Sequence, residues 1–311
     1  MKMTIHSLCK SALLISISAG ASTILVPQGQ EPEVNRSGAL AKAMLIYASD
    51  NNGFFPLSMG TRADGNGMWG TMHPAPPGVI ADRNWTDPYY VRAASVHWAN
   101  AIRPYVTNPE HYRDPGQQVV GLPTDFFTPG MEPLAIGLTM NGLLHSYPRS
   151  SVDNPSLVPL VWAGNGSVAI LGRATTNPVL NCQSAGPCRF NPKGYPQASR
   201  HWAGMPAGFF APSKKFPDGT VWSHRTGERS GGGSIAFVDG SARFQIWGTV
   251  FAPDQTKSAD KDIYAAIYYN EDGKQGFAYW ATNHPDCTNV SVERTSGEHI
   301  YPCYFRPDRT R

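Results

Sequence analysis

Apolar and polar side chains alternate most clearly between Ser234 and Ile246, on either side of Asp239-Gly240. Aspartate and glycine adopt positive φ at little cost, so Asp239-Gly240 predicts the two-residue type I′ turn that joins two antiparallel strands. Alternation with a period of two indicates strands that have one apolar face. The pattern therefore predicts a β-hairpin that lies with one face on a hydrophobic core.

The two-residue turn also predicts which side chains share a face of this hairpin. It places Val238 opposite Ser241 and Ile235 opposite Phe244, and opposite residues project from the same side of a sheet. The predicted core face consists of five apolar residues: Ile235, Phe237, Ala242, Phe244 and Ile246. The predicted outer face is polar: Ser234, Ser241, Arg243 and Gln245.

Helical spacing appears in two longer segments. From Asn35 onward, apolar residues recur three and four positions apart: Leu40, Ala43, Met44 and Tyr47. Asn52-Gly53 then provides a helix stop. The segment from Ser258 to Asn270 has a similar spacing and precedes Gly273, so it predicts a second helix. Strand–helix alternation of βαβ length does not recur. The expected fold class is α+β, with the N-terminal helix packed on an antiparallel sheet and connected by long Gly/Pro-rich loops.

Four short motifs, in order along the chain, carry a resemblance to bacterial pilin-like proteins. They read YASDNNGFFP at 47–56, RPYVTNPEHYRDPG at 103–116, IGLTMNG at 136–142 and NPSLVPLVWA at 154–163. The hairpin motif AFVDG at 236–240 follows a run of three glycines. Together they resemble the prepilin-type processing-associated family, which is named for a histidine, a spacer of nine residues and Asp-Gly, and the pseudopilins of type II secretion.

This resemblance implies a pilin-like head whose upstream polar anchor is His224 or Arg225. Two departures limit it. Fourteen residues, 225–238, separate His224 from Asp239, and the start of the chain has no Gly-Phe-Thr-Leu-Ile-Glu processing site. The resemblance covers residues 37–247 and implies head architecture without the assembly helix of a pilus.

The first 28 residues predict an export segment. Two lysines precede an uncharged stretch at 11–26, and Ala19-Gly20-Ala21 is a small-x-small cleavage pattern. A retained membrane anchor through 11–26 is the alternative. Residues 29–311 are then expected to form one pilin-like domain with an insertion at 175–223 and a tail at 276–311, and the location is extracellular or in the cell envelope.

Four cysteines remain if the leader is removed, and an even count in an exported chain predicts two disulfides. Local pairing is favoured among the three connectivities, so Cys182 is expected to bond Cys188, and Cys287 to bond Cys303 in the tail. A zinc site is the alternative, but no CxxC or nearby histidine spacing favours it.

Candidate chemistry is sparse. The histidines form no HExxH or HxH pair, and there is no nucleophile elbow, P-loop or dinucleotide motif, so no catalytic residue and no cofactor is predicted. The pseudopilin resemblance implies calcium as an option near the end of the head, where five acidic residues occur: Asp254, Asp260, Asp262, Glu271 and Asp272. A net charge of +3 without basic runs argues against nucleic acid.

Three functions are compatible with the sequence. The first is a non-enzymatic structural protein that contacts other envelope or filament proteins or copies of itself. The second is a polysaccharide- or surface-binding module that uses aromatic side chains: Trp69, Trp85, Trp98, Trp202, Trp222 and Tyr89-Tyr90. The third is a hydrolase that uses His224, Asp239 and a partner from the Cys182 loop.

Overall fold

The computed structural model describes residues 31–60, 72–81, 85–121, 123–166, 168–178, 180, 189–190, 233–245, 267–269, 275–277, 287 and 303–310. Its longest element is helix α1, Glu31–Asp50. The helix begins at Glu31, before the predicted start at Asn35, and ends where expected. Asn52 and Gly53 adopt left-handed φ values of 56° and 81°, and the Gly53 N–H donates to the Ala48 carbonyl at 2.8 Å. This C-terminal cap turns the chain away from the helix axis.

Helix α1 lies against a four-stranded antiparallel sheet. The strands are β4 (Thr139–Met140), β5 (Pro159–Trp162), β8 (Gly233–Phe237) and β9 (Ala242–Gln245), in the spatial order β4-β5-β8-β9. The helix contacts β5, β8 and β9. Its buried residues join those of the sheet in the main core, which includes Leu40, Met44, Leu160, Ala236 and Val238. The mixed helix and antiparallel-sheet class is confirmed.

Smaller elements surround this unit. A three-stranded sheet has the order β2-β6-β3, from Gln118–Val120, Val168–Leu171 and Ala135–Ile136. Strands β1 (Met72–Pro74) and β7 (Arg173–Thr175) pair antiparallel. Helices α2 (Pro88–Ser95) and α3 (Trp98–Ala101) follow one another, and a 3-10 helix, Arg103–Tyr105, comes shortly after α3. These elements cover the parts of the core that α1 does not reach.

The predicted hairpin is present, but its register was wrong by one residue. Ala236 pairs with Ala242 and Ile235 pairs with Arg243, whereas the sequence predicted Ile235 opposite Phe244. The loop has three residues, Val238–Gly240, because the Phe237 N–H donates to the Ser241 carbonyl at 2.8 Å. Only Gly240 has positive φ, 89°. A three-residue loop with glycine in the left-handed position uses the same Asp-Gly pair as a type I′ turn, so the dipeptide alone does not distinguish them.

This register gives β8 two buried faces. Ala236 and Val238 belong to the core beneath α1. Ile235 projects to the opposite side with its partner Trp162, and the Trp162 ring lies 5.0 Å from the Phe305 ring. All five residues of β8 are buried. The polar outer face predicted for the hairpin is therefore absent from β8, because the C-terminal segment covers that side.

The sequence predicted a second helix over Ser258–Asn270, and this prediction was wrong for residues 267–269. Its last residues form strand β10 (Ile267–Tyr269), which pairs antiparallel with β11 (Gln275–Phe277). β-branched and aromatic side chains at 267–269 favour an extended backbone. Residues 258–266 lie outside the described part of the chain.

Candidate functional site

The predicted turn residues Asp239 and Gly240 lie at the tip of the hairpin beside α1. The Asp239 carboxylate accepts hydrogen bonds from the Ser241 N–H at 2.9 Å and the Ser241 hydroxyl at 2.6 Å. A Cβ atom built at Gly240 would lie 3.3 Å from Leu45 Cδ1. Asp239 thus stabilises its own loop, and Gly240 allows the loop to approach the helix.

Two of the family-like motifs meet at a buried hydrogen bond. The Ser234 hydroxyl of β8 donates to the Asp114 carboxylate at 3.1 Å, and both residues are fully buried. The Gln117 side-chain carbonyl accepts from the Asp114 N–H at 2.9 Å. A polar contact thus joins the 103–116 segment to the hairpin. Spacing in the sequence gave no signal of this pair.

Asn141, from the IGLTMNG motif, links the sheet to the C-terminal segment. Its Nδ2 donates to the carbonyls of Pro159 at 2.9 Å and Phe305 at 2.8 Å. Its Oδ1 accepts from the Leu143 N–H at 3.1 Å, and the side chain is fully buried. All three interactions are directed to backbone groups, which gives this motif residue a structural role.

Three buried histidines, His73, His97 and His145, lie close together, and we call them the histidine cluster. Their exposed fractions are 0%, 0% and 3%. His73 lies on β1, His97 precedes α3, and His145 follows the 3-10 helix Gly142–Leu144. The His73 and His97 rings stack at 4.6 Å between centroids. Tertiary folding brings together residues that are up to 72 positions apart.

The histidine cluster holds the short segment that follows α1. The Ser58 N–H donates to Nδ1 of His145 at 3.0 Å, and the Gly60 N–H donates to Nε2 of His73 at 3.2 Å. The Thr176 hydroxyl donates to the Ser58 carbonyl at 2.5 Å and lies 3.3 Å from Nε2 of His97. Because that hydroxyl proton is used on Ser58, Nε2 of His97 is the donor to Thr176 Oγ1.

Burial keeps two members of the cluster neutral. Desolvation, with a smaller contribution from the nearby Arg189 guanidinium, lowers the pKa of His145 to about 4. Desolvation is also the main cause that holds the pKa of His97 well below its usual range, with smaller contributions from His73 and His145; the Ser58 backbone acts in the opposite sense. Neutral imidazoles can accept from backbone N–H groups, as the geometry requires.

An aromatic surface adjoins the cluster. Trp85, Tyr89 and Tyr90 are half-buried; their rings meet edge to face, Trp85–Tyr90 at 5.9 Å and Tyr89–Tyr90 at 5.2 Å. The Trp85 ring also contacts the His73 ring at 5.6 Å. Trp98, in contrast, is fully buried and donates its Nε1–H to the Thr175 carbonyl at 2.9 Å. Trp98 was therefore wrongly included among the ligand-stacking residues.

The remaining predicted sites divide into two groups. The Cys287–Cys303 disulfide is present and begins the C-terminal segment that packs on the sheet. Cys182, Cys188, His224 and the five acidic candidates for calcium lie outside the described residues, as do Trp69, Trp202 and Trp222. Across the described ranges, no three His, Cys, Asp or Glu side chains are grouped as metal ligands. No helix in those ranges is long and apolar enough to cross a bilayer.

Sequence reasoning missed the histidine cluster because each histidine comes from a different segment. A weak signal was available, since His73 lies among prolines and His97 directly precedes a helix, positions where a side chain can cap or brace the backbone. No protein-family model, curated protein sequence or solved structure matches this chain.

Proposed function

We propose that the chain is an exported, non-enzymatic pilin-like or pseudopilin-like protein that acts through contacts with other envelope or filament proteins. The observation that supports it best is the position of α1 along β5, β8 and β9, with the hairpin tip beside Leu45. A helix that ends in an Asn-Gly turn and lies over an antiparallel sheet is the arrangement implied by the four motifs.

The helix–sheet contact is close enough to be tested by a covalent bond. A Cβ atom built at Gly38 would lie 3.3 Å from Ala242 Cβ, near the Cβ separation of a disulfide. The double variant Gly38→Cys/Ala242→Cys should oxidise spontaneously to an intramolecular bond. A Lys42→Cys/Ala242→Cys pair is the control, because Lys42 is exposed on the helix. Failure of the first pair to close would contradict the pilin-like packing.

Location and partners need a separate experiment on the protein from its native cells. Mass spectrometry of the mature N-terminus in envelope and culture fractions should find a processed or anchored chain, and amine-reactive cross-linking should give bonds to other envelope proteins or to second copies. An unprocessed chain in the cytoplasm, or cross-links that are all intramolecular, would refute the proposed role.

Polysaccharide binding is the second candidate, favoured by the half-exposed rings of Trp85, Tyr89 and Tyr90. Aromatic faces stack on apolar faces of sugars, and three neighbouring rings give an extended surface. Affinity electrophoresis in gels that contain cell-wall polysaccharide should show retardation that Trp85→Ala removes. Phe126→Ala, at an exposed ring outside this group, should leave it unchanged. Equal migration of wild type and Trp85→Ala would exclude this function.

A further inference from the structure

Histidine side chains accept hydrogen bonds from two backbone N–H groups of the segment Leu57–Gly60, and the Thr176 hydroxyl binds the Ser58 carbonyl. Besides the bonds to His145 and His73, Leu57 forms a parallel bridge with His97, and the Trp98 N–H donates to the Leu57 carbonyl at 2.7 Å. The Ser58 hydroxyl also lies 3.1 Å from Nδ1 of His145. Ser58, Met59 and Gly60 are buried, so water does not replace these bonds in the closed state.

The direction of these bonds makes them sensitive to protons. A backbone N–H can only donate, so Nδ1 of His145 and Nε2 of His73 must each carry a lone pair. An imidazolium has N–H groups at both ring nitrogens. Protonation of either ring would therefore set two donors against each other inside a buried site, and both would lose their partner.

The charges around His97 and His145 oppose their protonation in the closed state. Arg189 acts on His145, and His73 and His145 act on His97. Each of these groups is positive or becomes positive when it takes up a proton. In the described part of the chain, the charged groups that act on His97 and His145 include no carboxylate. An opened segment, in which water solvates the imidazolium, is thus favoured as the pH falls.

We propose that the histidine cluster is an acid-released latch: neutral imidazoles hold the segment Leu57–Gly60 closed, and their protonation frees it while the sheet and α1 remain folded. The latch is separated from the end of α1 by residues 51–56 and lies beside the half-exposed aromatic surface at Trp85. Its release at low pH would expose Ser58 and Gly60 and loosen the packing below that surface.

Hydrogen exchange of the full-length protein with its disulfide intact tests the latch. Peptides that cover 54–60 are compared with peptides that cover β8, at pH 7.5 and pH 5, after correction for the intrinsic exchange rate at each pH. One proton taken up by His145, whose pKa rises from about 4 towards 6.5 on opening, increases the opening constant by about thirtyfold at pH 5. We therefore expect a corresponding loss of protection from exchange at 54–60 at pH 5, and little change in the protection of β8.

Two variants separate the latch from general acid sensitivity. In His145→Asn, the amide Oδ1 can accept from the Ser58 N–H but does not titrate, so the pH effect on 54–60 should fall to the contribution of the other histidines. His111→Asn is the control, because His111 is half-buried outside the cluster. Equal loss of protection in β8, unchanged protection at 54–60, or an unaltered response in His145→Asn would each overturn the proposal. If His145→Asn does not fold, the comparison of the two wild-type peptides decides.

Discussion

Replacement of Asn141 by alanine should destabilise the fold by about 3 kcal/mol. The substitution removes two donors and one acceptor from a fully buried position and leaves the Pro159 and Phe305 carbonyls and the Leu143 N–H without partners. Each loss costs roughly 1 kcal/mol, and burial prevents water from compensating. Asn141→Asp should cost more than Asn141→Ala at pH 7, because a carboxylate would face two carbonyl oxygens.

Asn154→Ala provides the matched comparison, since Asn154 also donates to a carbonyl of the C-terminal segment. Its single bond to Arg309 O at 3.0 Å is partly exposed, so we expect a loss of about 1 kcal/mol or less. Guanidinium unfolding followed by tryptophan fluorescence, with the disulfide intact, measures both. If Asn141→Ala costs no more than Asn154→Ala, the assignment of Asn141 as the link between sheet and C-terminal segment is incorrect.

Three further outcomes concern pH and redox state. Because the folded pKa of His145 lies below its unfolded value of about 6.5, its contribution to stability is present above that pH and is lost on acidification. Between pH 8 and pH 5 the loss should be about 2 kcal/mol in the free energy of unfolding. His145→Asn should remove this pH dependence in unfolding measurements at the two pH values. Burial raises the pKa of Tyr112, whose hydroxyl donates to the Ala99 carbonyl at 2.7 Å, so stability should fall above about pH 10, and by less in Tyr112→Phe than in wild type, because burial also raises the pKa of other tyrosines such as Tyr304. Tyr112→Phe itself loses about 1 kcal/mol at pH 7. Reduction of Cys287–Cys303, which are 16 positions apart, should lower the free energy of unfolding by about 3 kcal/mol, and a double serine variant that resists this effect of reductant is the control.

The sequence was informative where a local rule decides the structure. Asn52-Gly53 ends α1 through left-handed backbone, and Asp239-Gly240 lies in the hairpin loop. Local pairing of Cys287 with Cys303 was also confirmed. In each case residues close in sequence determine where the chain turns or which cysteines pair, although the type of the hairpin loop and its register were not predicted correctly.

The hairpin register could not be obtained in the same way. Alternation identifies the core face only when one face meets water, and β8 is buried on both. The C-terminal segment that covers its second face lies more than 60 residues away in the chain. The histidine cluster was not predicted for a similar reason. Four separate segments supply its members and the backbone groups that they bind, so no spacing pattern in the sequence marks it.

The two faces of β8 differ in side-chain size, which explains how closely α1 approaches. Beneath the helix lie Ala236 and Ala242, and a Cβ at Gly38 would already be 3.3 Å from the methyl of Ala242. Gly38→Leu should therefore lower stability by about 1–3 kcal/mol through overpacking, although leucine favours a helix over glycine by nearly 1 kcal/mol. Ala39→Leu, at the half-exposed neighbouring position, should be close to neutral. A Gly38→Leu protein that unfolds at the same or a higher guanidinium concentration than wild type would show that α1 does not pack on the hairpin in this way.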